Sequence, residues 1–223
     1  MQLYEVMRTT FAAREFTDEP VTDEQIHNIL ENARFAPSGG NRQGWKVILV
    51  RDQATRAKLR PLVEPGMKRY FAQVAAGEFP WNTIIPTKLS GAEIAATELP
   101  QTFIDNLLNA PVMLCVYVDL KVVASFDQGL DRVGVVSGCS IYPFVWNILL
   151  AARNEGLGGT PTTWAAACED QLSEILGVPS DYAFSAMIPL GHPVKQLTKL
   201  KRKPVSDFAT IDHFDGKAFS YQD

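Results

Sequence analysis

Residues 29–50 read ILENARFAPSGGNRQGWKVILV, and this stretch decides the fold class. Its first part closes a helix. Ile26, Ile29, Leu30 and Ala33 recur at the spacing of one helical face, behind Thr22 and Gln25, which stand three apart as a capping box. Pro37 ends that helix, since proline lacks the amide and the space to continue it. Ser38-Gly39-Gly40-Asn41 is a loop by composition, and Trp45 to Val50 is a strand of apolar and β-branched residues. Helix, polar loop and strand in direct succession point to a domain that mixes helices with sheet.

Working outward, residues 3–13 predict a short helix, interrupted by Thr17-Asp18-Glu19-Pro20, and residues 53–63 predict another after the strand. Residues 64–101 are the least regular part. Pro65, Gly66, Gly77, Pro80, Pro86, Gly91 and Pro100 punctuate it, and Tyr70, Phe71, Phe79 and Trp81 lie between them. That aromatic content opposes disorder, so the segment reads as a lid or a partner-wrapping arm. Pro111 to Asp119 (PVMLCVYVD) is a second strand. Residues 130–155 form a long apolar helical region, bent near Pro143 and capped by Gly156-Leu157-Gly158-Gly159. A helix over Ala166 to Leu176 closes at Gly177, and Tyr182 to Leu190 is a third strand. The result is one α+β domain over residues 1–223, a small sheet of three or four strands with helices around it. It carries an irregular insertion at 64–101 and an extended C-terminal arm at 192–223.

Composition narrows the function classes. The chain has 223 residues, 46% hydrophobic and 21% charged, which suffices for a full core without metals or disulfides. A net charge of −4 opposes a general attraction to nucleic acid or anionic membrane. Cys115, Cys139 and Cys168 are odd in number and form no CxxC pair, so a reducing cytoplasmic setting is expected. Met1 to Arg14 mixes charged and apolar positions, so no secretory leader is expected. Residues 133–152 carry no charge and are long enough to span a bilayer. Gly134, Ser137, Gly138, Pro143 and Asn147 within them favour a helix buried in the protein.

The usual catalytic constellations are absent. His27, His192 and His213 lie far apart without metal-ligand spacing, and there is no GxSxG elbow or GxxxxGK[ST] loop. The glycines at 156–159 follow a helix, the wrong context for a dinucleotide turn. So few acid–base groups suit chemistry carried by a cofactor. Three segments offer parts of an anion and ring site. Arg8 to Arg14 (RTTFAAR) brings arginines and threonines to a helix end. Pro37 to Trp45 combines small residues with the amides of Asn41 and Gln43; a plain polar turn is the competing reading. Lys199 to Pro204 is basic, a solvated face or a phosphate clamp.

Taken in order, these segments resemble the nitroreductase family of flavoproteins. The matching strings are Arg14-Glu15-Phe16 with Pro20-Val21, then Ala33-Arg34-Phe35-Ala36-Pro37-Ser38 with Asn41-Arg42-Gln43-Gly44-Trp45. Leu149 to Ala152 followed by Gly156-Leu157-Gly158-Gly159, and Ile188 to Pro193 with Arg202-Lys203-Pro204, continue the match. The resemblance implies a nitroreductase-like fold with a mainly antiparallel sheet, in an intertwined homodimer that holds FMN at the subunit interface. It places Arg14 and Arg202 at the phosphate and ribityl end of the flavin. Ser38, Gly40, Asn41 and Gln43 would lie along the ring and ribityl chain. Gly158, Gly159, Thr160 and Thr162 would stand near the reactive edge of the ring. Two departures stand out. The family's Arg-Arg-Ser or Arg-His-Ser is replaced by Thr10-Phe11-Ala12, for which Arg8 or Thr10 would compensate, and Gly44 replaces a usual proline.

The function implied is transfer of a hydride from NAD(P)H through bound flavin to a nitroaromatic, a quinone or a similar flat acceptor, with no side chain needed as general base. Tyr70, Phe71, Phe79, Trp81 and Trp164 are the candidate acceptor wall; packing at a dimer interface or in the core explains the same residues. Related chemistry within the family, flavin cleavage or reductive dehalogenation, stands as the alternative, as does a low-turnover flavin-binding storage or sensor protein. No metal site is expected.

Overall fold

The computed structural model describes residues 1–221, so the last two residues of the expected C-terminal arm lie outside the described residues. In chain order the elements are α1 (Leu3–Thr9), α2 (Asp23–Ala33), β1 (Trp45–Leu49), α3 (Gln53–Ala75), α4 (Gly91–Ala95), α5 (Gln101–Leu108), β2 (Val112–Asp119), α6 (Tyr142–Asn154), β3 (Gly158–Gly159), α7 (Glu169–Leu176) and β4 (Tyr182–Gly191). The four strands form one sheet in the order β1-β2-β4-β3, with every pairing antiparallel. The expected α+β architecture is what the chain adopts.

β2 organises the core because its run of apolar residues is buried on both faces. Side chains alternate across a strand. Val112, Leu114, Val116 and Val118 therefore meet Ile29 and Ala33 of α2 and Phe144 and Ile148 of α6. Met113, Cys115 and Tyr117 meet Leu59, Val63 and Met67 of α3, Ile104 of α5 and Leu172 of α7. A helical layer thus covers each face of the sheet. The register between β2 and β4 shifts at Val116/Tyr117, which leaves Ser185 of β4 as an extra, bulged residue. Burial raises the Cys115 thiol to about 12, so this sulfur stays protonated as a small core group.

Besides α1, which ends at Thr9 and not at residue 13, three boundaries differ from the sequence reading. First, α3 does not stop at residue 63 but continues to Ala75 through Pro61 and Pro65, so the expected irregular stretch begins some ten residues too early. Both prolines are solvent-exposed, where water can take the carbonyls they leave free. Leu62, Val63 and Met67 bury the opposite face of the same turns. Second, the apolar region 130–155 is not one bent helix. Pro143 stands in the first turn of α6, where a missing amide costs no helical hydrogen bond, and a 3-10 turn over Val136–Ser140 precedes it. Third, the helix expected from Ala166 begins as a 3-10 turn, Trp164–Cys168, before α7. Among the described residues no helix is long and apolar enough to cross a membrane.

Two buried charges tie loops to this frame. Arg56 of α3 is 5% exposed. It donates to the carbonyls of Val50 (2.9 Å), Leu108 (3.2 Å) and Ala110 (2.6 Å), joining the end of β1 to the end of α5. Asp127 accepts from the amides of Val135 (2.7 Å) and Val136 (3.3 Å), from Arg132 (2.8 Å) and from Ser125 (3.2 Å). The Val135 amide and then Arg132 hold its carboxyl far below the usual carboxylate range.

Candidate functional site

The edge of the sheet beside β3 is closed by the N-terminal segment. Ala12 bridges Gly159 in parallel, the Ala13 amide donates to the Gly159 carbonyl (3.1 Å), and Phe16 bridges Pro193. Gly159 has to be glycine here. A Cβ would stand 2.5 Å from the Pro189 carbonyl oxygen and 2.4 Å from Leu190 Cδ2. This pairing carries Arg14 to the rim of a cleft of about 340 Å³, between β3 and the helical layer of α3 and α5.

Six of the sequence-predicted residues meet at the cleft: Arg14, Tyr70, Phe71, Thr160, Thr162 and Trp164. Phe103 and Leu107 of α5, with Pro161, Thr163 and Pro189, complete its lining. Pro161 and Thr163 fall within the segment from Gly158 to Ala166 that the family resemblance sets near the ring; sequence reasoning missed Phe103, Leu107 and Pro189. The α5 pair belongs to a short helix in a region read as irregular or featureless, although Phe103, Leu107 and Leu108 do carry helical spacing.

The chemistry of the lining is selective. Tyr70, Phe71, Phe103 and Trp164 form a linked aromatic wall. Ring centroids are 5.3 Å apart for Phe103–Trp164, 6.1 Å for Phe71–Phe103 and 6.4 Å for Tyr70–Trp164. Thr162 is pinned to β4 by two 2.8 Å backbone hydrogen bonds with Met187. Its hydroxyl is buried without a hydrogen-bond partner among the described residues, a state that is uncommon in native interiors. Arg14 makes no ion pair among the described residues and bonds only the Ala12 carbonyl, at 3.2 Å. The lining includes no carboxylate, histidine or cysteine. An apolar slot with one cation at its rim and one orphan hydroxyl has the chemistry to take a flat molecule with an anionic end; its lining has no group to exchange protons in the pH range of a general base.

The remaining predicted residues lie elsewhere in the chain. Ser38, Gly40, Asn41 and Gln43 form a separate exposed loop. Gly40, Asn41 and Gln43 all take left-handed backbone, with φ of 62°, 53° and 50°. The Gln43 amide donates to Ser38 Oγ (2.9 Å), and the Gly39 amide donates to Ser140 Oγ (3.2 Å). Gly44 has a plain reason. Any Cβ there would lie 2.5 Å from Val122 Cγ2, so valine fills the space a proline would need. Arg8 is exposed and points toward the Tyr4 ring. Thr10 is buried and donates its hydroxyl to the Val6 carbonyl (2.8 Å), so it finishes α1 instead of facing a phosphate. Arg153 and Gln196 secure the same turn through Thr9. Gly158 packs under Ala13 and Pro193. Among the described residues Arg202 bonds only the neighbouring Lys201 carbonyl (2.7 Å), and Phe79 is 78% exposed. Trp81 lines a neighbouring cavity instead of the cleft itself.

Comparison with known proteins bears on the family and the fold. The model of the Nitroreductase family matches residues 7–192. Iodotyrosine deiodinase 1 of Homo sapiens is 26% identical over 206 residues, covering 92% of this chain and 66% of that protein. The Rattus norvegicus protein of the same name is 28% identical over 205 residues, 91% of this chain and again 66% of the relative. The chain therefore spans just under two thirds of the length of these two relatives. Among solved structures, an iodotyrosine deiodinase bound to FMN and 3-iodo-L-tyrosine superposes with a TM-score of 0.68 at 22% identity, covering 96% of this chain and all (100%) of that one. The NADPH:FMN oxidoreductase of Vibrio harveyi, complexed with NAD+, gives 0.64 at 20% identity, over 99% of this chain and 78% of that one. At such identities the superpositions speak for the fold alone. The family match over residues 7–192 goes further: the chain belongs to the nitroreductase family.

Proposed function

We propose that this chain is an FMN-dependent oxidoreductase that passes a hydride from NAD(P)H to a nitroaromatic, a quinone or a similarly flat acceptor. The observation that carries the reading is the cleft: an aromatic slot with a free arginine at its rim, an unpartnered buried hydroxyl inside and no acid–base side chain in its lining. Those residues fit FMN. Arg14 would hold the phosphate end by a charge-assisted contact. Thr162 would hydrogen-bond the polar edge of the ring, and the Phe103–Trp164 wall would exclude water from it. Bound FMN supplies the hydride acceptor and donor.

The loop of Ser38, Asn41 and Gln43 supports a homodimer in this reading. Asn41 and Gln43 are exposed on left-handed backbone that Ser38 anchors, as expected of groups that complete a partner's cleft. The altered Thr10-Phe11-Ala12 segment leaves Arg14 as the phosphate grip on that side, and Arg202 would have to leave its contact with the Lys201 carbonyl to join it. The three unpaired cysteines support a cytoplasmic setting. One other reading has a specific observation behind it: reductive removal of halogen from an aromatic ring, favoured by the iodotyrosine deiodinase relatives.

The test is an absorbance spectrum of the purified protein, then anaerobic addition of NADH or NADPH. A flavin band that bleaches with either donor, and returns on adding a quinone or nitroaromatic, is the expected result. Protein that neither carries nor takes up FMN overturns the proposal. Iodide release from 3-iodotyrosine without quinone reduction decides for the second reading.

A further inference from the structure

Beside the cleft lies a second cavity of about 480 Å³. It shares Tyr70, Thr163 and Trp164 with the cleft, so the two spaces adjoin along one aromatic edge. That edge is rigid. Gly66 of α3 packs so tightly on the 3-10 turn that a Cβ would lie 2.3 Å from the Trp164 carbonyl oxygen. The far walls are Pro80, Trp81, Ala166 and Ala167.

Trp81 is held there at some cost. Its φ of 53° is left-handed backbone that bulky side chains rarely adopt. Such a conformation persists only where the surroundings impose it. Here its amide donates to Gln73 Oε1 (3.0 Å), its indole Nε1 donates to the Gly66 carbonyl (3.3 Å), and the Arg69 guanidinium lies 4.1 Å over the ring. Gln73 is itself 1% exposed, an uncommon place for a glutamine in mid-helix. Its other amide end donates to Glu78 (3.0 Å), whose carboxylate also accepts from Thr87 Oγ1 (2.6 Å) and the Lys88 amide (2.8 Å). A polar network anchored on the buried Gln73 thus sets one indole in one strained pose at the edge of a cavity.

We infer that this cavity is a second subsite for the electron acceptor, one that takes a flat aromatic group attached to the reducible ring. The inference rests on the oxidoreductase reading above and names its substrate class: two-ring acceptors such as aryl-substituted quinones. The distal ring is uncharged, because the cavity walls offer aromatic and methyl surface with only the Tyr70 and Thr163 hydroxyls and the Trp81 indole N–H as polar groups, and no ionised side chain. In the overall reaction the quinone gains two electrons and two protons to become the hydroquinone. NAD(P)H gives up a hydride to become NAD(P)+, and solvent supplies the second proton.

The experiment compares 1,4-benzoquinone with 2-phenyl-1,4-benzoquinone as acceptors for the FMN-loaded protein, and measures binding of the non-reducible 4-phenylphenol by calorimetry. Variants are Trp81→Ala, which removes a wall, and Ala167→Phe, which fills the cavity from an exposed position that the fold tolerates. The wild type should favour the phenyl-substituted quinone in kcat/KM by about tenfold or more. Both variants should pull that ratio toward one and weaken 4-phenylphenol binding. Equal kcat/KM for the two quinones in the wild type, or a ratio and an affinity that neither variant moves, overturns the subsite. Failure to reduce either quinone would count against the oxidoreductase reading instead, and 4-phenylphenol binding would still report on the cavity.

Discussion

Arg56→Met is the substitution whose outcome the structure defines most closely. The guanidinium is buried, has no carboxylate partner, and donates to three carbonyls, two of them at the C-terminal end of α5. The negative end of that helix dipole and the three oxygens compensate the charge. Burial alone pushes the Arg56 pKa below its ordinary value, yet arginine stays protonated there. Methionine keeps much of the apolar stem but leaves the carbonyls of Val50, Leu108 and Ala110 without this donor. A hydrogen bond to a charged group contributes about 1.5–3 kcal/mol. The three are not additive, because the variant also escapes the cost of burying a cation. The expected loss is about 3–5 kcal/mol, at the upper end for single substitutions. Arg56→Lys, which keeps the charge but not the planar fork, should lose roughly half of that. Equilibrium urea unfolding is the assay, at fixed protein concentration because ligands and partners shift midpoints by mass action. With a slope near the top of the usual range, about 3 kcal/mol per molar, the Met variant's midpoint should fall by about 1–2 M with the slope unchanged. A loss below about 1 kcal/mol would refute the reasoning, showing that water replaces the guanidinium and that α5 is held by packing alone.

Other consequences follow from single contacts. Gly159→Ala should destabilise the protein by about 1–3 kcal/mol in thermal or urea unfolding, since the new methyl meets a backbone oxygen that cannot turn aside. Arg14→Ala should weaken FMN binding about tenfold or more in a fluorescence titration, by loss of one charge-assisted contact. Unchanged affinity there and in Arg202→Ala would show that the phosphate end is misplaced. Asp127 gives a pH signature. Its folded pKa is depressed, so its contribution is present above the unfolded value of about 3.9 and is lost as pH falls below it. Asp127→Asn should flatten the decline of stability on the acid side of that value; an unaltered slope would mean that the Val135 and Arg132 contacts do not set its titration.

Much of the scaffold was legible from local chemistry. The capping box of Thr22 and Gln25 forms as read, with the Gln25 amide donating to Thr22 Oγ1 at 3.1 Å and the Thr22 amide donating to Gln25 Oε1 at 3.0 Å. The strands at 45, 112 and 182 fall where β-branched and apolar runs put them, because such runs satisfy neither a solvated loop nor an amphipathic helix. Prolines misled in both directions. Pro61 and Pro65 sit inside a helix whose buried face outweighs the bonds they remove, while Pro143 begins a helix instead of bending one. For Pro61 and Pro65 the deciding quantity was which side faced water, and for Pro143 where the helix begins; neither is a local property of the proline.

The site divides the same way. Residue type and order in this one chain were enough to place it in the nitroreductase family and to name Arg14, Tyr70, Phe71, Thr160, Thr162 and Trp164, which meet at one cleft. Only the tertiary structure showed that Phe103 and Leu107 belong to the cleft, that Thr10 spends its hydroxyl on α1, and that Trp81 walls a second cavity. Sequence specifies which groups are present and the local turns they favour. A site assembled from a sheet edge, a 3-10 turn and two helices depends on distances between segments far apart in the chain, and those distances are set by how the two faces of β2 pack.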